Sequence, residues 1–157
     1  MKITLVLVGK TDMGWVREGL QMYADRLKHY IPFNIIEIPE LKNVSALSRE
    51  QIKAREGELI LKNIKPGEDV VLLDERGSMY SSLEFAKLIQ NKISYLCKDI
   101  SFVIGGAYGF SEEVYARSNS KISLSKMTFS HQMVRTVFAE QLYRAFTIIK
   151  GEPYHHE

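Results

Sequence analysis

Five short runs of β-branched and apolar residues, set between longer segments of helical periodicity, constrain this chain more than any other feature. They are Lys2–Val8, Phe33–Ile38, Asp69–Asp74, Phe102–Ile104 and Lys121–Ser125. The first is continuously β-prone, as expected of a strand covered on both faces. Val16, Leu20, Tyr23, Leu27 and Tyr30 then recur at four- and three-residue steps, the stripe of an amphipathic helix that Ile31-Pro32 ends. Ser48 and Gln51 fit a capping box opening a charged helix that runs to about Ile64. Ser81 and Glu84 fit another, with Phe85, Ala86, Ile89, Ile93 and Leu96 as the buried stripe. Ser111 is a good cap for Glu112–Arg117, and a long helix, His131–Lys150, follows the last run. Strand alternating with helix predicts an α/β fold, a mostly parallel sheet with helices on both faces, in one domain over residues 1–157.

Composition narrows the class without naming a function. At 157 residues the chain can bury about 70% of its unfolded surface, so neither disulfide nor metal is needed for stability. No apolar run approaches the ~20 residues of a membrane span, and the N-terminal run has no small-residue cleavage site after it. The single cysteine, Cys97, makes no internal disulfide, which fits a reducing compartment. A cytoplasmic protein with no membrane partner is expected. A net charge of +2 argues neither for nor against nucleic acid.

Chemistry is concentrated late in the chain. Phe102–Ile104 stops at Gly105-Gly106, and Gly109 follows. This spacing is not that of a dinucleotide fingerprint and no Gly-Lys-Ser/Thr follows, which argues against a dehydrogenase or a P-loop NTPase. A tight structural turn and a ligand loop both remain open. His29, His131, His155 and His156 have no carboxylate or cysteine at zinc spacing, so no metal is expected. Glu140 and Arg144, four apart, would form either an exposed pair of ~0.3–0.5 kcal/mol or a carboxylate and guanidinium presented to substrate. Arg135 adds a cation near the helix start, suited to a phosphate. Gly151 and Pro153 predict a helix stop followed by a mobile end. Two strand ends and a helix start thus converge where open α/β sheets bind ligands.

The segments IGGAYGF, SLSKMTFSHQMVR, AEQLYRAF and GEPYHHE, in this order, together with the KITLVLVGK start, closely resemble the ribosomal RNA large subunit methyltransferase H family. Those are small SPOUT enzymes with a C-terminal trefoil knot. The resemblance covers essentially the whole chain. It implies a homodimer that transfers a methyl group from S-adenosyl-L-methionine to N3 of a pseudouridine in 23S rRNA, acting on the assembled ribosome. Carried over by residue, it implies cofactor binding at Leu73, Gly105, Leu124, Ser125, Lys126, Met127, Thr128 and Phe129. Glu140, Arg144, Tyr154 and His155 are then expected as catalytic residues on the RNA side, acting in trans from the tail, with Arg135 on RNA phosphate. Two positions depart from the family pattern: Ser130 stands where proline is common, and His156 where a basic residue is frequent. A ribosome-binding protein that lost the chemistry, and a small-molecule methyltransferase, are the alternatives; cofactor calorimetry and methylation without ribosomes separate them.

Overall fold

A computed structural model describes residues 1–156; Glu157, the last residue of the quoted tail, lies outside them. Among these residues the strands are β1 (Ile3–Val8), β2 (Phe33–Ile38), β3 (Asp69–Met79), β4 (Ile100–Ile104) and β5 (Ser120–Ser123). They form one sheet, ordered β2-β1-β4-β3-β5 and parallel in every pairing. The helices are α1 (Gly14–Leu27), α2 (Arg49–Lys62), α3 (Ser82–Asn91), α4 (Glu112–Arg117) and α5 (Met133–Ile149). None is long and apolar enough to cross a membrane.

Side-chain alternation along the strands divides the core in two. Ile3, Leu5 and Leu7 of β1, with Phe102 and Ile104 of β4, face Leu20, Phe85, Phe138 and Leu142 of α1, α3 and α5. Val6 and Val8 of β1, with Val70, Leu72 and Val103, face Ile60 of α2 and Val114 of α4. β1 and β4 are therefore buried at every position, and apolar except for Thr4 and Ser101, because both faces are covered. Each fully buried Ile, Leu or Phe stabilises the fold by roughly 1.5–3 kcal/mol. Both capping boxes form, Ser48 Oγ accepting from Gln51 N and Ser81 Oγ from Glu84 N, each at 3.1 Å.

Most other ends shift by one or two residues, β4 starting at Ile100 and α5 at Met133, and three differences alter the packing. α1 ends at Leu27, ahead of Tyr30 and Pro32. α3 passes into a π turn, Lys92–Leu96, which shifts the side-chain phase and leaves Leu96 exposed instead of buried. In the same turn Lys92 points inward, its Nζ 2.6 Å from Asp69 Oδ2. β3 does not stop at Asp74: it runs to Met79, and both Leu73 and Ser78 pair with Ile122 of β5. The chain between them bulges around β5. Gly77 permits this, since a Cβ there would lie 2.5 Å from the Ile122 carbonyl carbon.

Candidate active site

The middle of β3, at residues 73–76, and the carboxyl ends of β4 and β5 open into one cleft of about 820 Å³, within the usual range for a small-molecule site. Leu73, Ile104, Ile122, Leu124 and Phe129 give it apolar surface. The glycine turn forms its edge, and the tightness of that turn has visible causes. A Cβ at Gly105 would sit 2.9 Å from the Phe110 ring, and Gly109 adopts φ +85°. Both readings of the glycines thus hold together, a tight turn that also lines a cavity. The loop between β5 and α5 is braced by its own serines: Ser123 Oγ donates to Ser125 O (2.9 Å), and Ser125 Oγ accepts from Met127 N (3.0 Å). Ser130 Oγ accepts from Gln132 N and Met133 N at 3.2 and 3.4 Å, so the serine braces the turn leading into α5, whose N-cap is Gln132. Of the positions expected to hold cofactor, all line the cleft except Lys126, which is exposed. Tyr115 donates to Asp74 on the cleft wall; burial, that bond and the Asp74 charge push its phenol up to about 12.

A second polar centre lies at the end of α5. Glu140 Oε1 accepts from Arg144 Nε (3.1 Å), Arg144 Nη2 (2.6 Å) and Tyr154 OH (2.9 Å). Gln141 Nε2 donates to Glu140 Oε2 at 2.8 Å. Arg144 Nη1 lies 3.0 Å from His155 Nδ1, and since arginine only donates, Nδ1 accepts and Nε2 carries the ring proton. Burial alone would lower Arg144, but the bond and charge of Glu140 outweigh it and the guanidinium is raised. Burial, with hydrogen bonds involving Tyr23 and Glu140, keeps the Tyr154 phenol protonated. The Tyr154 ring packs edge-on to Tyr143 at 4.8 Å and under the Arg144 guanidinium, also at 4.8 Å. None of Glu140, Arg144, Tyr154 or His155 lines the cleft of its own chain.

The family model described as predicted SPOUT methyltransferase matches residues 1–155. Proteins named ribosomal RNA large subunit methyltransferase H, from Parabacteroides distasonis and Christiangramia forsetii, are 54% and 56% identical to the chain. Those matches cover 100% and 99% of this chain and the same shares of the relatives. The chain belongs to the SPOUT methyltransferase H family. Its fold is also seen in a solved structure described as a probable methylase family protein from Haemophilus influenzae. That likeness has a TM-score of 0.54 at 15% identity, over 98% of this chain and 69% of the other.

Two expectations for this SPOUT methyltransferase need correction. The first is Arg135, expected on RNA phosphate. Its side chain is fully buried, with Nη2 donating to Val8 O (2.8 Å), Nη1 to Thr11 Oγ1 (2.6 Å) and Nε to His131 O (3.1 Å). It ties the carboxyl end of β1 to the start of α5 and is not available to a phosphate. Helical spacing placed it near Glu140 and Arg144 but could not tell which way it faced. The second is the tail. Gly151, at φ +69°, turns the chain back on α5, and Pro153–His155 forms a 3-10 turn. Tyr30 OH donates to Glu152 Oε2 at 2.7 Å, and Tyr154 and His155 meet Glu140 and Arg144, so the tail is docked on α5 through His155 and not a free end.

The donor set of the cleft fits S-adenosylmethionine: an apolar strip for a flat base beside backbone groups of glycine- and serine-rich loops, with charged side chains at the rim. Arg49, Lys53, Tyr108 and Tyr115 line it too and were not picked out from sequence. Arg49 and Lys53 read there as part of a solvated helix, and only the packing of α2 beside the glycine turn brings them in.

Proposed function

We propose that this chain is an S-adenosylmethionine-dependent rRNA methyltransferase acting on N3 of a pseudouridine in 23S rRNA of the assembled ribosome. It works in the cytoplasm as a homodimer of single-domain subunits with a knotted C-terminal segment, in which each tail completes the cleft of the other subunit. The relatives' shared name supports the rRNA reaction class. The observation that carries the two-subunit reading is the separation of the two centres: an apolar cleft at the sheet edge, and an organised Glu140–Arg144–Tyr154–His155 cluster outside it. β5 pairing with β3 on both sides of the Asp74–Gly77 bulge is consistent with a threaded chain.

Leu73, Gly105 and the Leu124–Phe129 loop would hold the cofactor, which supplies an electrophilic methyl group when bound. The protein's own contribution is positioning, which alone can provide ~7–11 kcal/mol of the barrier, and management of the N3 proton. Among the described residues Glu140 Oε2 accepts from Gln141 alone, so it is the atom placed to accept that proton. His155 Nδ1 is engaged by Arg144 and its Nε2 is protonated, so His155 orients Arg144. Arg144 steadies negative charge as the proton leaves N3, and Tyr154 stacks on or orients the base.

Mass spectrometry of 23S rRNA from ribosomes incubated with the protein and labelled cofactor tests the reading. One added methyl at a pseudouridine is expected; label on free RNA or small molecules alone would refute it. Deleting residues 154–157 should abolish methylation and leave cofactor binding nearly intact, and equal loss of both would contradict the role of the tail.

A further inference from the structure

Beside Gly106, which lines the cleft, one carboxyl oxygen lacks a hydrogen-bond partner among the described residues. Glu56 Oε1 is buried and makes no hydrogen bond. A Cβ on Gly106 would lie 2.8 Å from both Glu56 oxygens, so the carboxyl is pressed against the glycine turn. Burying such a group uncompensated is unfavourable, and burial, with Glu40 nearby, raises it above the ordinary glutamate range. The residue as a whole is half-buried, so part of it meets solvent although Oε1 does not.

Glu56 does not stand alone on its helix. Arg49, Lys53 and Glu56 fall at steps of four and three along α2 and share one face. Arg49 and Lys53 both line the cleft. The Arg49 guanidinium lies 5.1 Å from the centre of the Tyr108 ring, another lining residue; Lys53, its side chain 23% exposed, has its Nζ 3.0 Å from Oε1 of the exposed Glu50, a surface pair that a ligand carboxylate would compete with. Elsewhere the cleft takes apolar lining from Leu73, Ile104, Ile122, Leu124 and Phe129, with Asp74, Glu75 and Arg76 beside Leu73. Two cations followed by an unpartnered carboxyl form the complement of an α-amino acid, whose carboxylate and ammonium are separated by a single carbon.

We propose that Arg49, Lys53 and Glu56 form the subsite for the amino-acid end of the cofactor, its carboxylate meeting Arg49 and Lys53 and its ammonium meeting Glu56. This rests on the cofactor reading above and adds a direction to it: the amino-acid end lies toward α2 and the base toward the loop between β5 and α5. The ammonium supplies the positive charge that the packing around Glu56 withholds.

Calorimetry on the full-length protein tests the assignment with three ligands: S-adenosylhomocysteine, its decarboxylated analogue, and 5′-methylthioadenosine, which lacks the amino-acid end. The unaltered protein should bind S-adenosylhomocysteine most tightly. Glu56→Gln should weaken S-adenosylhomocysteine and the decarboxylated analogue about tenfold or more, the loss of one charge-assisted hydrogen bond, and leave methylthioadenosine unchanged. Arg49→Ala with Lys53→Ala, at positions that α2 tolerates, should weaken S-adenosylhomocysteine alone. Equal weakening of all three ligands, or of none, overturns the subsite while the cofactor reading stands. Failure of the unaltered protein to bind any of the three overturns the cofactor reading and the subsite with it.

Discussion

Replacing Arg135 by alanine separates a buried structural role from an RNA contact. The guanidinium is fully buried and donates to Val8 O, Thr11 Oγ1 and His131 O, with Glu37 Oε2 at 3.9 Å. Burial lowers its pKa, and the Glu37 charge opposes that. Each hydrogen bond from a charged donor contributes about 1.5–3 kcal/mol, but the three are not additive. Removing one partner from a buried charged network costs about 3–5 kcal/mol, and truncation adds a cavity. About 4 kcal/mol is therefore expected, a large part of a typical domain's stability of about 5–15 kcal/mol. With a urea m value of about 2 kcal/mol/M, the unfolding midpoint should fall by about 2 M. Arg135→Lys keeps the charge without the planar fork, so it should lie between the two. Urea unfolding followed by circular dichroism reads both. A midpoint moved by less than about 0.5 M, together with weakened ribosome binding, would refute the reasoning and return Arg135 to the surface.

Glu56→Gln should change the pH dependence of stability. The folded protein raises this carboxyl, so the stability it contributes is present below the ordinary glutamate range and is lost as pH rises through the raised value. The variant should therefore unfold at higher urea than the parent at pH 8 and match it near pH 4; a difference confined to acid would contradict the burial. Gly77→Ala should prevent β3 and β5 from pairing, because the new methyl meets Ile122 backbone at 2.5 Å. Gly109→Ala has open space and bears only the left-handed backbone, costing about 1 kcal/mol; similar melting temperatures for the two variants would refute the close approach. Ser48→Ala and Ser81→Ala should each cost about 1 kcal/mol and add in the double variant, since they cap different helices. Glu140→Gln should lose methyl transfer while binding cofactor as before, and full turnover would remove Glu140 from the proton's path.

Periodicity and caps exposed most of the architecture. β2 has the expected bounds, and both capping boxes and the Ser111 cap form as their spacing indicates, because these features depend on residues within one turn of each other. The alternation of strand with helix signalled a parallel sheet, the β-prone run of β1 signalled a strand covered on both faces, and the strand ends signalled where a cleft would open. Strand order was not legible: that β4 lies between β1 and β3 is decided by which apolar faces meet across the fold. The course of β3 past Asp74 was hidden for the same reason, since its polar residues continue as strand only because β5 is there to pair with Ser78 and Met79. Orientation was the other missing quantity. Sequence gives a residue's position along α5, but packing against β1 turns Arg135 inward, while the returning tail gathers Glu140, Arg144, Tyr154 and His155 into one cluster. Local spacing thus determined the elements and their ends, and the tertiary structure alone decided which charges were buried, which were paired and which faced the cleft, because those outcomes depend on neighbours far away in the chain.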